Sequence, residues 1–261
     1  MKTIVHDMVK VFRRLRRSLV QKRKLGSYLL YALGEIILVV IGILIALAIN
    51  NANQRHAERQ KEEVYLAGLQ DEFRTSKNKL EVLMAVNNAN IEGAKSLLIL
   101  MEQPQESVTE VYLSKLILQT FANDISFNSN NSLLEEMVSS GSLKDIRKNT
   151  LRIALTNWLS TLVDIARQES ELDLHRRKVV DMFRSDEQSL RTIFDLTGVS
   201  DQMGLPHAHE QDSNLNVLQS NAFENNVLTF MLTSEKTNSL HYEPLMENIN
   251  VIFELIENEL Q

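Results

Sequence analysis

Hydrophobic residues fall into two regimes along this chain. From Tyr28 to Ile49 they run almost unbroken, YLLYALGEIILVVIGILIALAI, and beyond Asn50 they recur every three or four positions among polar residues. As a helix the first regime spans ~32 Å, about the thickness of a bilayer hydrocarbon core. It predicts a transmembrane helix at 28–49. A secretory signal also joins a basic region to an apolar run, but its apolar part is shorter and ends at a small-residue cleavage site. Here the run leads into Asn50, Asn51, Ala52 and Asn53, so the span is expected to be retained.

The second regime predicts helices. Leu66, Leu69, Phe73, Ser76, Leu80, Leu83, Asn87, Ile91, Ala94, Leu98 and Met101 step by three and four, which draws one stripe along a long first helix continuing out of the span. That helix should end at Gln103-Pro104. Ser107 with Glu110 has capping-box spacing and opens a helix carrying Val111, Leu113, Leu116, Ile117 and Phe121. Asn123 to Asn131 reads as a polar loop. Ser132 with Glu135 repeats the capping spacing before a short helix that Gly141 would terminate in a left-handed turn. Asn149 is placed to cap a helix striped by Leu151, Leu155, Trp158, Leu162, Ile165, Leu172, Val179 and Phe183. Another start is expected at Ser185. Thr197 to Asn214, with two glycines and Pro206, reads as a mobile loop. Two last helices follow, around Phe223, Val227 and Met231 and around Leu245, Ile249, Ile252, Ile256 and Leu260. No segment alternates as a strand. The expected fold class is all-α, a single N-terminal transmembrane helix followed by an extramembrane helical bundle on a helical stalk.

Charge orients the span. Residues 1–27 hold nine of the chain's 28 Lys and Arg and one of its 34 acids, so a basic tail precedes the span and an acidic remainder follows it. Positive flanks stay cytoplasmic. The domains expected are therefore a basic cytoplasmic tail at 1–27, the transmembrane helix at 28–49 and a helical extracytoplasmic domain at 50–261. Apolar Val9, Val11, Phe12, Leu15, Leu19 and Val20 are interleaved with Arg13, Arg14, Arg16, Arg17, Lys22, Arg23 and Lys24. The tail can thus lie as an amphipathic helix with those cations on anionic membrane lipid. Nucleic acid is not an expected partner, because no recognition module or stacking aromatic set accompanies the cluster. The chain has no cysteine, which excludes disulfides and thiol chemistry.

Catalytic constellations are thin, and neither an enzyme nor a cofactor is expected. H-E-x-x-H, G-x-S-x-G, Walker and dinucleotide motifs do not occur in the sequence. His207 and His209 with Glu210 and Asp212 are ligand types, but they lack a third ligand at defined spacing, so no metal site is assigned. His175 beside Arg176, Arg177 and Lys178 reads as a solvated helix face, and Trp158 as core.

Glu35 is the one ionisable residue between Tyr28 and Ile49. On a helix it shares a face with Ala32, Val39, Gly42 and Ala46, and Gly42 with Ala46 forms the small-xxx-small spacing that lets helices approach closely in lipid. Three readings compete for it. It can reach headgroup water or hydrogen-bond Tyr31 one turn back, make a polar contact between copies in a homo-oligomer, or belong to a carboxylate ring lining a cation or proton path.

YLLYALGEIILVVIGILIALAINNAN resembles the opening signature of an uncharacterised family of single-span bacterial envelope proteins, above all at Gly34-Glu35-Ile36, Gly42 and Ile45 to Asn50. SLLEEMVSSGSLKDIRKNTLRIAL and IFELIENEL are similar to its later helical segments; Ala52 departs from it, standing where members often carry tryptophan. The resemblance implies a bacterial source and the single-span topology, with no activity attached. The function expected is a membrane-anchored, non-enzymatic envelope protein in the bacterial inner membrane, N-terminus cytoplasmic and C-terminal domain periplasmic. It would self-associate through the Glu35 face and present an acidic domain to a protein partner; the alternative is a subunit of an ion- or proton-conducting assembly.

Overall fold

The computed structural model describes residues 25–104 and 107–261. The lipid contacts expected at Arg13, Arg14, Arg16, Arg17, Lys22, Arg23 and Lys24, and the amphipathic tail that carries them, lie outside the described residues. Within them the chain is all-α, with no strand. It divides into two units, Met1–Lys61 and Glu62–Gln261.

Helix α1, Leu25–Met101, lacks proline along its whole length. Pro104 cannot continue it, having no N–H and a ring that disfavours helical geometry in the residue before it. Tightened turns from Glu102 and Gln103 back to Ile99 and Leu100 close the helix ahead of that proline. In the second unit the expected stripe points inward: Leu66, Leu69, Phe73, Ser76, Leu80, Asn87, Ile91 and Ala94 are buried.

The remaining helices of that unit wrap this stripe. They are α2 (Glu110–Phe121), α3 (Ser132–Ser139), α4 (Asn149–Met182), α5 (Leu190–Thr197), the single turn α6 (Val199–Gln202), α7 (Asn221–Thr237) and α8 (Glu243–Leu260). Long α4 packs along α7 and α8, and α2 lies against α5. Trp158, Tyr242, Phe73, Phe223 and Phe230 are fully buried at the centre. Phe73 meets Trp158 with ring centroids 5.1 Å apart, and Phe121 meets Phe230 at the same spacing. Trp158 is thus a core residue, as its place on the stripe implied.

Several boundaries differ from the sequence expectation. Thr109 rather than Ser107 caps α2, accepting from Tyr112 N, while the Ser107 hydroxyl donates to Pro104 O. Helix α3 begins at Ser132 without a side-chain cap of its own, and α4 begins at Asn149 behind an uncapped Lys148. Ser189, not Ser185, caps α5. Gly141 does adopt the left-handed conformation, with φ of 74°, and turns α3 into the 3-10 segment Ser142–Asp145. The expected loop at 197–214 is partly built, since α6 sits between the left-handed Gly198 and Gly204. The two last helices form one uninterrupted run, joined by a π-helical turn at Asn238–Tyr242. A π turn inserts one residue into a helix without breaking it, so no loop signal marks it.

Two glycines of α1 stand where neighbours come close, with different consequences. A Cβ on Gly93 would overlap the Thr120 hydroxyl and lie 3.1 Å from Thr120 Cβ. Thr120 is fully buried and donates to Leu116 O at 2.7 Å, so it has no room to turn away. A Cβ on Gly68 would meet the end of a flexible side chain, Leu133 Cδ2, at 2.5 Å. Alanine improves helix propensity by about 1 kcal/mol at either position, whereas overpacking a fixed neighbour costs about 1–3 kcal/mol. Gly93→Ala is therefore expected to lower stability and Gly68→Ala to leave it nearly unchanged. Denaturant unfolding followed by Trp158 fluorescence compares them, and equal effects would refute the close approach at Gly93.

Candidate functional site

In the first unit the apolar run of α1 is uncovered. Every side chain from Leu33 to Ile49 is exposed, and this is the helix long and apolar enough to cross a membrane among the described residues. Glu35, Val39, Gly42 and Ala46 are exposed and Ala32 is half-exposed. Helical spacing aligns them on one face over ~21 Å. A Cβ added to Gly42 would meet nothing within 4 Å.

The second unit holds a polar core that the sequence reading largely missed. Its centre is Glu169 of α4, whose Oε1 accepts from Tyr242 Oη at 2.6 Å and from Phe127 N at 2.8 Å. Burial raises the Glu169 pKa above the ordinary carboxylate value, with the two hydrogen bonds opposing that shift. Burial also raises the Tyr242 phenol, and the neighbouring carboxylate adds to it. Beside this pair Gln168 donates to Thr237 Oγ1, and Asn87 donates to Asn238 Oδ1 and to Ser234 O. The π turn supplies both Asn238 and Tyr242.

Other acids hold loops in the same manner, Glu62, Glu72 and Asp195 buried and Glu110 half-buried. Glu72 accepts from Leu133 N at 2.7 Å and Leu134 N at 3.3 Å, doing for α3 what the expected Ser132–Glu135 capping box does not. Glu62 accepts from the Arg147 backbone N and its Nε, and Glu110 accepts from Ser213 Oγ and Asn214 N. The Asp195 carboxylate is held below its usual value by Ala208 N–H first and the Ser200 hydroxyl second. The sequence did carry a signal for Glu169. It fills the gap between Ile165 and Leu172 on the α4 stripe, where an apolar residue would be expected.

The face around His175 is only partly solvated. His175 is half-buried, and burial lowers its pKa. Arg176 turns inward to donate to Phe121 O at 2.9 Å, satisfying a carbonyl at the C-terminus of α2. His207 Nε2 lies 2.8 Å from Asp201 Oδ1, and that bond raises the imidazole pKa. Among the described residues no three His, Asp or Glu side chains gather to hold a metal ion. An open groove of about 570 Å³ runs between α1 and the 123–128 segment, floored by Val82, Leu83, Val86 and Phe127.

The raised Glu169 pKa has a definite sign. A carboxyl that binds its proton more tightly when folded contributes stability that is full below its unfolded pKa and is lost as pH rises through the folded value. Glu169→Gln keeps an Oε1 acceptor for Tyr242 and Phe127 and cannot ionise. Its stability relative to the parent should therefore climb as pH is raised from ~4 toward neutrality. Glu169→Leu strands two buried donors and should cost roughly 1–3 kcal/mol for each. Thermal unfolding across pH reads both, and a pH-independent difference between Gln and parent would contradict the burial of a titrating group.

Comparison with curated proteins and with solved structures finds no match. Residues 35–193 match the model of DUF6090, a family of unknown function. The matched stretch starts at Glu35, takes in Val39, Gly42 and Ala46 of the exposed face but not Ala32, includes the acids Glu62, Glu72, Glu110 and Glu169, and ends in α5. It covers more than half of the chain, and the chain belongs to this family of unknown function.

Proposed function

We propose that this chain is a membrane-anchored, non-enzymatic protein of the bacterial envelope. Residues 28–49 of α1 cross the inner membrane, with the basic tail in the cytoplasm and the acidic bundle in the periplasm. Copies associate through Ala32, Glu35, Val39, Gly42 and Ala46, and the bundle meets a protein partner. One observation carries the reading: the apolar run is uncovered from Leu33 to Ile49, with Leu33 59% and Ile43 61% exposed. A core helix of a water-soluble fold hides such residues, and an uncovered apolar surface of this extent is an interaction surface. A bilayer covers it at the length required. The charge asymmetry about the run supports the orientation.

The Glu35 face supports self-association. In lipid, helices gain little from hydrophobicity against one another and associate through close packing and polar contacts. Gly42 and Ala46 allow the approach, and Glu35 supplies a polar group that lipid does not satisfy. The bulky Ile37, Val40, Ile41, Leu44 and Leu47 suit lipid on the opposite face.

Gly42→Leu fills the contact with a branched side chain and should convert the oligomer to a smaller species. Mass determination in nanodiscs checks this: a monomeric parent, or an oligomer that Gly42→Leu leaves intact, refutes the interface. In reconstituted vesicles the parent and Glu35→Gln proteins are expected to give equal proton flux. A parent flux that Glu35→Gln abolishes would replace the anchored scaffold with a conducting assembly.

A further inference from the structure

The polar core beside the π turn contains groups that its own side chains do not satisfy. Asn87 and Ser234 are fully buried and Asn90 is 1% exposed. Asn87 Oδ1, Asn90 Nδ2 and Ser234 Oγ have no hydrogen-bond partner within the protein. Their chemistry is complementary: a carbonyl acceptor, an amide donor and a hydroxyl that can do either. They lie on facing stretches of α1 and α7. Asn87 and Asn90 are one helical turn apart on the inner face of α1, and the Ser234 carbonyl accepts from Asn87 Nδ2 at 3.0 Å. The Asn87 amide cannot simply be reversed to relieve Oδ1. Its Nδ2 is committed twice, to Ser234 O and to Asn238 Oδ1 at 2.7 Å.

A chain of side-chain hydrogen bonds links this place to the surface. Asn88 is exposed and lines a surface groove of about 450 Å³ with Met84, Met246 and Asn250. Its Oδ1 accepts from Asn238 Nδ2 at 2.5 Å, and Asn238 in turn accepts from Asn87. The file Asn88, Asn238, Asn87 therefore runs from solvent to the buried groups.

We propose that Asn87 Oδ1, Asn90 Nδ2 and Ser234 Oγ form a binding seat for ordered water inside the bundle, joined to the surface groove by the Asn88–Asn238–Asn87 chain of side-chain hydrogen bonds. A water there accepts from Asn90 Nδ2, donates to Asn87 Oδ1 and shares its second hydrogen or lone pair with Ser234 Oγ, the three-partner arrangement usual for buried solvent. Dry, each group would carry the penalty of an unmade bond. A cation is the poorer fit, because the Asn90 amide presents hydrogens to the seat. The water ties α1 to α7 just before the π turn, so Asn238 and Tyr242 are positioned by a hydrated layer.

Two measurements on the full chain test this. A crystal structure that resolves solvent should place a density peak at hydrogen-bond distance, about 2.7–3.2 Å, from all three atoms. A seat that is empty, or filled by a neighbouring side chain, overturns the proposal. Independently, Ser234→Ala removes a hydroxyl without adding bulk. A satisfied hydroxyl predicts a lower unfolding midpoint, and a dry orphan predicts a higher one, which overturns the seat.

Discussion

A buried carboxylate accepting the backbone N–H of a loop is the interaction that the bundle depends on. Apolar stripes bring long helices together, but they leave the connecting segments with donors that no helix satisfies. In five places among the described residues an acid supplies the partner, buried in four of them and half-buried at Glu110: Glu62 for Arg147, Glu72 for Leu133 and Leu134, Glu110 for Asn214, Glu169 for Phe127 and Asp195 for Ala208. A hydrogen bond to a charged acceptor contributes about 1.5–3 kcal/mol, and a buried carboxylate without one is costly. Loop and acid therefore need each other. The balance differs from site to site. At Asp195 the hydrogen bonds prevail and the pKa falls; at Glu169 burial prevails and it rises.

These contacts explain which parts of the fold were legible in the sequence. Periodicity located α1, α4 and the last helices because burial of Leu66, Phe73, Leu155 or Ile249 is a one-dimensional pattern. Starts were harder. Ser107 and Ser132 looked like caps by local spacing and Ser185 like a helix start, yet Thr109, Glu72 and Ser189 satisfy those N-termini. Glu72 lies 61 residues from Leu133, and no local rule finds a cap at that separation. The π turn was invisible for a related reason, since one inserted residue leaves the apolar stripe of α7 and α8 almost in phase.

The candidate site divided along the same line. Ala32, Glu35, Val39, Gly42 and Ala46 share a face because they lie on one helix, so simple counting identified them. The polar core of Asn87, Glu169, Asn238 and Tyr242 draws on three segments far apart in the chain, and only the Glu169 gap in an apolar stripe hinted at it. The two features suit different roles. An uncovered apolar face of this length fits a bilayer, while the latched bundle has a core of its own.

Amide hydrogen exchange on the full chain measures the latches directly. Leu133, Leu134, Phe127 and Arg147 begin or interrupt segments where backbone N–H groups ordinarily exchange fast, yet each donates to a buried acid. Their amides should exchange slowly, as those inside α4 do, while the neighbouring exposed Ser126 and Asn128 exchange fast. Exchange at Leu133 and Phe127 as fast as at Ser126 and Asn128 would contradict carboxylate latching as the basis of this fold.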